Sequence, residues 1–356
     1  MKPRARELGL RPGQFAPGKL NAITDVAGVL VGQVTKLEGE GIRSGVTAIL
    51  PHGGNLYAER VPAGLAVING YGKLAGATQL QELGELETPI VLTNTLAVGR
   101  AVEALVDWTL ERNPQALSVN AVVGETNDGR LNDIRARGIV DEDVLAALNS
   151  ARDGAVEEGS VGAGTGTVAF GWKGGIGTSS RKLPAALGGF TVGALVQSNY
   201  GGALVMDGVP MGRALGKFYL KEHADKGDAD GSVMVVIATD APLSDRNLGR
   251  LALRSMAGLA RTGAAFSDGS GDYAIAFSTH PQVRRPAPEG MVADWPNEKM
   301  SPLFVAVAEA VEEAVLNSLL RATTVESRDP ATGKKRKVEA IDIEAVRAVL
   351  SAHRPE

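Results

Sequence analysis

A serine stands where the chain changes from polar to wholly apolar. Residues 222–231 are charged and rich in Gly and Asp, which makes them the best linker candidate, and Ser232 opens the apolar stretch 232–238. If the chain is cut before Ser232, this residue gains a free α-amine beside its own hydroxyl. An α-amine has an ordinary pKa of about 7.7–8.0, so it can serve as the base that a weakly nucleophilic hydroxyl needs. The alternative interpretation of Gly231-Ser232 is a turn that feeds a strand.

Two further groups of polar residues lie at the ends of apolar stretches. Asn199 follows one such stretch, and an amide fixed there could donate a hydrogen bond to a developing oxyanion. Ser270 and Asp272 precede the apolar residues 273–278. If these form a strand beside the one that Ser232 begins, the pair could orient a nucleophile and hold its proton. Taken alone, all three residues are also typical of ordinary turns.

Glu125 belongs to a ten-residue segment, 124–133, that holds three acids and two amides after the apolar residues 119–123. A carboxylate at the end of a strand suits an ammonium group or a cation, but the spacing is not that of a calcium loop. The alternative interpretation is a solvated loop.

The composition excludes several kinds of catalytic site. The chain has no cysteine, so disulfides, thiolate zinc sites and a cysteine nucleophile are absent. Its four histidines are scattered without metal-ligand spacing, and we expect no metal site. No Gly-x-Ser-x-Gly motif occurs, which argues against an α/β-hydrolase. A serine enzyme built from this chain therefore needs a base other than histidine.

Neither nucleic acid nor a membrane is the expected partner. The net charge is −4, without a basic stripe. The N-terminus lacks the apolar core of a secretory signal, and no stretch approaches eighteen uninterrupted apolar residues. These features predict a soluble, cytoplasmic protein. The glycine-rich segments 162–168 and 174–180 lack the Gly-Lys-Ser/Thr of a phosphate loop, so we predict that both are turns.

The distribution of apolar residues predicts a layered α/β fold. Continuous apolar runs indicate strands covered on both faces. These runs are 46–50, 64–68, 90–93, 119–123, 191–197, 232–238 and 273–278. Helical periodicity is clearest at 245–262, with Ser244 and Gly263 at its ends, and at 302–321, with Ser301-Pro302 as N-cap and first helical residue. Weaker helices are predicted at 99–112, 141–151 and 342–352, and all helices should lie outside packed sheets.

Read in order, these segments resemble the P1 (DmpA-like) peptidase family of L-aminopeptidase/D-esterases and β-peptidyl aminopeptidases. The matching segments extend over most of the chain. They are 21–32, 45–51, 92–95, 124–129, 174–181, 196–201, 231–232, 270–272 and 313–318. The resemblance implies a single αββα sandwich over residues 1–356, similar to N-terminal-nucleophile hydrolases but differently connected. It also implies autocleavage before the serine, into fragments 1–231 and 232–356.

The resemblance implies a role for each candidate residue. Ser232 matches the nucleophile, Asn199 the oxyanion-hole amide, Ser270 the assisting hydroxyl and Asp272 the assisting acid, a position where some family members carry Glu. Glu125 matches the acid that binds the free amino group of the substrate. The resemblance further implies no metal, no organic cofactor, and a tetramer of processed heterodimers.

The expected activity is that of a self-processing serine aminopeptidase or amidase acting on small peptides, amides or esters with a free amino group. An alternative within the family is hydrolysis of β-peptides or ω-amino-acid oligomers. An alternative from another class is acyl transfer, as in the ornithine acetyltransferases, although these use a threonine nucleophile and Ser232 favours hydrolysis.

Overall fold

The computed structural model describes residues 2–221, 231–286, 290 and 292–353. Of the predicted linker 222–231, only Gly231 lies within these ranges. Within them, none of the helices combines the length and the hydropathy needed to span a bilayer.

The strands account for both sheets and two small ladders. They are β1 (Leu30–Glu38), β2 (Ile42–Leu50), β3 (Val61–Gly70), β4 (Leu74–Ala75), β5 (Glu85–Leu86), β6 (Ile90–Asn94), β7 (Val122–Thr126), β8 (Val168–Ala169), β9 (Trp172–Lys173), β10 (Gly175–Lys182), β11 (Thr191–Asn199), β12 (Ser232–Thr239), β13 (Gly271–Ser278), β14 (Val325–Arg328) and β15 (Lys335–Val338).

The helices lie mostly between or after these strands. They are α1 (Ala77–Leu83), α2 (Val98–Arg112), α3 (Asp141–Asn149), α4 (Met211–Ala214), α5 (Asp245–Arg261), α6 (Ser301–Leu320) and α7 (Ile343–His353).

Two mixed sheets form the centre of the fold. One has five strands in the order β1-β2-β6-β7-β4, and the other has six in the order β10-β11-β12-β13-β3-β5. In the larger sheet β12 is antiparallel to β11 and parallel to β13. At one end of the sheet, three chain positions therefore lie side by side: the last residues of β11 and the first residues of β12 and β13.

Three apolar cores separate four layers. Val91 and Val123 of the smaller sheet pack with Leu105 of α2 on its outer side. The inner faces of the two sheets share a second core, to which β12 contributes Met234 and Val236. The alternate residues of β12 pack instead against α5 and α6. This layer order is the αββα arrangement that the family resemblance implies.

The two best-defined helices begin and end close to their predicted positions. The Ser244 hydroxyl accepts a hydrogen bond from the N–H of Asn247 at the start of α5, and Gly263 follows its end with a φ of +85°. The predicted N-cap of α6 was one residue too late, because Met300 takes that position and Ser301 is already helical. The weaker helices α2, α3 and α7 are also confirmed, whereas helices α1 and α4 and strands β1, β4, β5, β9, β14 and β15 were not predicted.

The prediction of a turn at 174–180 is wrong, because this segment forms most of β10 and pairs along its length with β11. Its glycines allow backbones to approach. A Cβ on Gly177 would lie 1.9 Å from the carbonyl oxygen of Ala314 in α6, and one on Gly175 would lie 2.2 Å from the carbonyl oxygen of Gly159. At 162–168 the turn is confirmed as a short 3₁₀ helix, Gly162–Gly164, that leads into β8.

The matching segments 174–181 and 313–318 meet in a buried ion-pair cluster between β10 and α6. Arg181 is fully buried, and its guanidinium contacts Glu313 at 2.8 Å and Glu309 at 3.2 Å. Arg6 reaches the same Glu313 carboxylate at 3.0 Å. Paired and hydrogen-bonded charges of this kind are costly to break by removing one partner. These residues therefore connect β10, α6 and the N-terminal segment, and none of them lines the cavity that holds Ser232.

Candidate active site

Ser232 lies where three strands meet. It is the first residue of β12 and lies directly opposite Asn199, the last residue of β11. On its other side it is in register with Gly271, the first residue of β13. Because side chains alternate along a strand, Ser232 lies on the same face as Met234, towards the smaller sheet. The structure confirms that Ser270 and Asp272 lie at the start of a strand, β13, that neighbours the one that Ser232 begins, although Asp272 is already inside that strand.

The side-chain amide of Asn199 is held by a hairpin. Its Oδ1 accepts a hydrogen bond of 2.9 Å from the N–H of Val168 in β8. The strands β8 and β9 are joined by Phe170 and Gly171, both with positive φ, as a two-residue hairpin turn requires. The N–H of Phe170 in turn donates to the carbonyl oxygen of Tyr200. With Oδ1 engaged, the NH₂ end of the Asn199 amide is left to donate.

Glu125 is a buried carboxylate held by neutral donors. The strand predicted at 119–123 lies at Val122–Thr126, so Glu125 is inside β7 and not in the loop after it. The side chain, 2 % exposed, accepts a hydrogen bond of 3.0 Å from the N–H of Lys73 and another from the Thr95 hydroxyl. No basic side chain of the described residues forms an ion pair with it. A buried carboxylate without a counter-charge is costly, so this position favours a cationic ligand.

One cavity of about 580 Å³ brings these groups together. It is lined by Ser232, Asn199 and Glu125, among others, and by Gly231, whose bond to Ser232 is the candidate cleavage site. The cavity is polar at each of these points, and it lies between the ends of the two sheets. Among the described residues, no three His, Asp or Glu side chains converge as they would around a metal ion.

Ser270 and Asp272 flank Gly271, the residue of β13 in register with Ser232, and they do not line this cavity. The Ser270 hydroxyl donates to Asp272 Oδ1 at 2.6 Å, and Asn69 donates to Asp272 Oδ2 at 2.9 Å. Burial raises the pKa of Asp272, and these two hydrogen bonds oppose the shift. The pair borders a small recess with Val233, and the register places Asp272 opposite Val233, on the other face of the sheet from the Ser232 side chain.

The peptide bond before Ser232 is tightly enclosed. The carbonyl oxygen of Gly231 accepts a hydrogen bond of 3.3 Å from the N–H of Gly271, the residue between Ser270 and Asp272. A Cβ on Gly231 would lie 2.1 Å from the carbonyl oxygen of Asn199. Only glycine therefore fits at this position without a shift of β11.

A buried acid and a buried amine lie behind the cavity wall. Asp128 accepts hydrogen bonds from Ser44 at 2.6 Å and Asn132 at 3.0 Å, and burial raises its pKa to about 7. The fully buried Lys173 donates to the carbonyl oxygens of Gly164 and Gly174, and burial lowers its pKa to about 7.

Sequence reasoning missed several residues that shape this site. Asp128 stands in the acidic segment already singled out at 124–133. Thr95 lies in the matching segment 92–95, to which no role was assigned. No sequence signal marked Lys173 or Asn69 as parts of the site, and the partner of Asn69, Asp272, is distant in the chain.

Comparison with known proteins gives a consistent result along the whole chain. The model of peptidase family S58 matches residues 21–332. The beta-peptidyl aminopeptidase BapA of Sphingosinicella xenopeptidilytica is 39% identical over 377 residues, covering 99% of this chain and 92% of the relative.

Two solved structures superpose over nearly the full length of both chains. The PH0078 protein of Pyrococcus horikoshii OT3 has a TM-score of 0.89 at 47% identity, with 99% of each chain covered. The L-aminopeptidase D-ala-esterase/amidase of Ochrobactrum anthropi has a TM-score of 0.87 at 39% identity, again with 99% of each chain covered. That enzyme is described as a prototype of the serine aminopeptidases and a variant of the Ntn hydrolase fold.

Proposed function

The chain belongs to peptidase family S58 and is an aminopeptidase, and from this premise we propose that Ser232 is its nucleophile, released as an N-terminal residue by self-cleavage. The predicted family resemblance and the predicted hydrolase activity are confirmed. The observation that supports the proposed site best is the shared cavity of Ser232, Asn199 and Glu125.

The proposed self-cleavage begins in the uncut chain. Ser232 Oγ attacks the carbonyl carbon of Gly231, the bond from that carbon to the Ser232 nitrogen breaks, and the hydroxyl proton ends on this nitrogen. Water then hydrolyses the resulting ester, which leaves a Gly231 carboxylate and a free Ser232 amine and hydroxyl. The absence of a side chain on Gly231 and the hydrogen bond from Gly271 to its carbonyl oxygen both support this step.

In the proposed mature enzyme the substrate is held at two points, its ammonium group and its reacting carbonyl group. The Glu125 carboxylate binds the substrate ammonium, which replaces its missing counter-charge. The Ser232 amine accepts the hydroxyl proton as Oγ attacks the substrate carbonyl, and the Asn199 amide donates to the oxyanion. Water then hydrolyses the acyl-enzyme with the same amine as base.

The Ser270–Asp272 pair is proposed to act on the amine of Ser232. Its place beside the Gly231–Ser232 bond supports this role, since cleavage converts the nitrogen of that bond into the amine. A buried hydroxyl–carboxyl pair there can orient the amine and share its proton.

Substrates with either α- or β-amino-acid N-termini fit this mechanism. The related β-peptidyl aminopeptidase and the related L-aminopeptidase have equal identity to this chain, 39% in both cases. We therefore include both classes in the substrate proposal, together with ω-amino-acid amides. The acyl-transferase alternative gains no support from these relatives, both of which are named as peptidases.

Intact-mass spectrometry of the purified protein tests the proposed nucleophile. The wild type should give two fragments, 1–231 and 232–356, and Ser232→Ala should give one full-length, inactive chain. The exposed Ser150 offers a control, because Ser150→Ala should be cut like the wild type. An active wild-type protein that remains one chain would contradict the processing step.

The resemblance to the family also supports a tetramer of processed heterodimers as the working form. Sedimentation velocity of the cleaved enzyme would give its mass directly. A species with the mass of a single heterodimer would contradict this part of the proposal.

A further inference from the structure

A second pocket continues from the candidate catalytic cavity. It has a volume of about 380 Å³ and shares three lining residues with the cavity, namely Arg130, Gly171 and Gly201. The two spaces therefore adjoin at these residues, and we call them together the groove. Its far part is lined by Lys217, Lys337 and Glu339, among others.

The second pocket carries an excess of positive charge. The ammonium of Lys337 is 3.0 Å from the Glu339 carboxylate, so this pair is neutral overall. Within the described parts of the chain, neither Arg130 nor Lys217 forms an ion pair. Among the residues that the structure describes, these two cations of the pocket are thus without an ion-pair partner. A groove with uncompensated cations attracts an anion from solution.

Lys217 is held at the junction of the two spaces. Its Nζ lies 4.8 Å from the centre of the Trp172 ring, which restrains the side chain. Its aliphatic part lies against Gly171, where an added Cβ would come within 2.8 Å of Lys217 Cε. The side chain is half-buried. Burial lowers the pKa of this ammonium, the neighbouring Arg130 lowers it further, and Glu339 opposes both.

The proposed binding mode directs the leaving residue of the substrate towards this pocket. With the substrate ammonium at Glu125 and its reacting carbonyl between Ser232 and Asn199, the leaving residue extends towards the shared rim of Arg130, Gly171 and Gly201. In a short peptide the leaving residue carries the C-terminal carboxylate, only about 3.5 Å of chain per residue further on. Guanidinium and ammonium groups are suitable partners for a carboxylate.

We propose that this second pocket is the subsite for the C-terminal carboxylate of the substrate, with Arg130 and Lys217 as its ligands, so that short peptides with a free C-terminus are preferred. The inference rests on the proposed function, because it takes the ends of the groove from Glu125 and Ser232.

Two substrates with the same scissile bond test the subsite. L-Alanyl-glycine and L-alanyl-glycinamide differ only in the terminal charge, and β-alanyl-glycine with its amide extends the test to β-amino acids. In the processed wild type kcat/KM should be about tenfold or more higher for the acid than for the amide, and added salt should reduce this ratio. Lys217→Met should lower the ratio about tenfold. Lys299→Met is the matched control, since Lys299 also lies over a tryptophan, Trp295, outside the groove.

The possible outcomes separate the two proposals. If acid and amide are cleaved equally, or if the ratio survives in Lys217→Met, the subsite is wrong and the proposed function stands. If Lys217→Met alters only the preference for an acidic N-terminal residue, the cationic pocket serves the acyl side and the subsite is again wrong. If an amino-acid p-nitroanilide is cleaved but none of these four compounds is, the subsite is wrong and the proposed function stands. If the p-nitroanilide is not cleaved either, the proposed function fails and this inference fails with it.

Discussion

Glu125 accepts hydrogen bonds from one backbone N–H and one hydroxyl, and both donors are neutral. We expect Glu125→Gln to keep most of this packing and to lose the attraction for the substrate ammonium. The KM for an amino-acid p-nitroanilide should rise about 10- to 100-fold, because a charge-assisted hydrogen bond becomes a neutral one. Steady-state kinetics would measure the change.

A substrate without the amine provides the control for Glu125. An N-acetylated p-nitroanilide should be a poor substrate for the wild type, and Glu125→Gln should reduce the difference between free and acetylated forms. If the variant discriminated against the blocked substrate as strongly as the wild type does, Glu125 would not be the ammonium ligand.

Asn199 should matter to the transition state more than to binding. Because its amide is fixed by Val168 and lies opposite Ser232, Asn199→Ala removes a prepositioned donor. We expect kcat to fall about 10²- to 10³-fold with little change in KM. Self-cleavage should slow as well, which a time course on denaturing gels would show. A variant with normal kcat would exclude Asn199 from the oxyanion hole.

The types of the site residues could be predicted from the sequence, whereas their mutual positions could not. Resemblance to a family pointed to Ser232, Asn199 and Glu125 one at a time. Their convergence depends on the pairing register of β11 with β12 and on the way two sheets meet, and neither is visible in local sequence. For the same reason the sequence could not show that Asp272 lies outside the cavity. Side chains alternate along β13, and this alternation places Asp272 on the face of the sheet opposite to the Ser232 side chain.

At the scale of elements, β12 owes its position to neighbours on both edges and both faces. Its residues pack alternately against the helices and against the smaller sheet, so none of them needs to be polar. Such strands read as continuous apolar runs, and this is why β11, β12 and β13 could be predicted. Strand β10 could not be predicted in this way. Its glycine Gly177 is needed because α6 approaches closely, but in the sequence alone a glycine-rich segment resembles a turn.

The contact between β10 and α6 predicts a large effect from a small substitution. Gly177→Ala would place a methyl group 1.9 Å from the Ala314 carbonyl oxygen, so the helix must move away from the sheet. We expect a loss of about 1–3 kcal/mol in the free energy of unfolding, or more. Urea denaturation followed by circular dichroism would measure it.

Gly99 in α2 is the matched control for Gly177, since an added Cβ there meets nothing within 4 Å. Gly99→Ala should stabilise the protein by about 0.5–1 kcal/mol through helix propensity. Equal effects of the two substitutions would contradict the close packing of β10 against α6.

At the scale of the whole molecule, Asp128 should make stability depend on pH. Its pKa is raised from 3.8 to about 7, so the folded state favours the protonated acid. The stabilisation is therefore present at low pH and is lost as the pH rises from about 4 through about 7. Since each unit of pKa difference corresponds to about 1.4 kcal/mol, the loss should amount to a few kcal/mol.

Asp128→Asn isolates this contribution, because the amide cannot ionise. Relative to the wild type, the variant should become more stable as the pH rises from about 5 to about 8. Lys173 contributes in the opposite sense, since its pKa is lowered and its stabilisation is lost as the pH falls through about 7. Because the charge of Asp128 raises the pKa of Lys173, Asp128→Asn also changes that contribution, so the comparison is made in a Lys173→Met background. Parallel stability curves would show that Asp128 is ionised in the folded state.

The strand order of the larger sheet has a consequence for the thermodynamics of the mature enzyme. A cut before Ser232 places β12 and β13 on one chain, between β11 and β3 of the other. Unfolding of the processed enzyme then releases two separate chains, so the position of its unfolding equilibrium depends on protein concentration. The melting temperature of the processed enzyme should therefore rise more steeply with protein concentration than that of uncut Ser232→Ala, in which only the assembly between whole chains contributes. Once processed, the fold can be recovered only by an encounter between partners that began as a single chain.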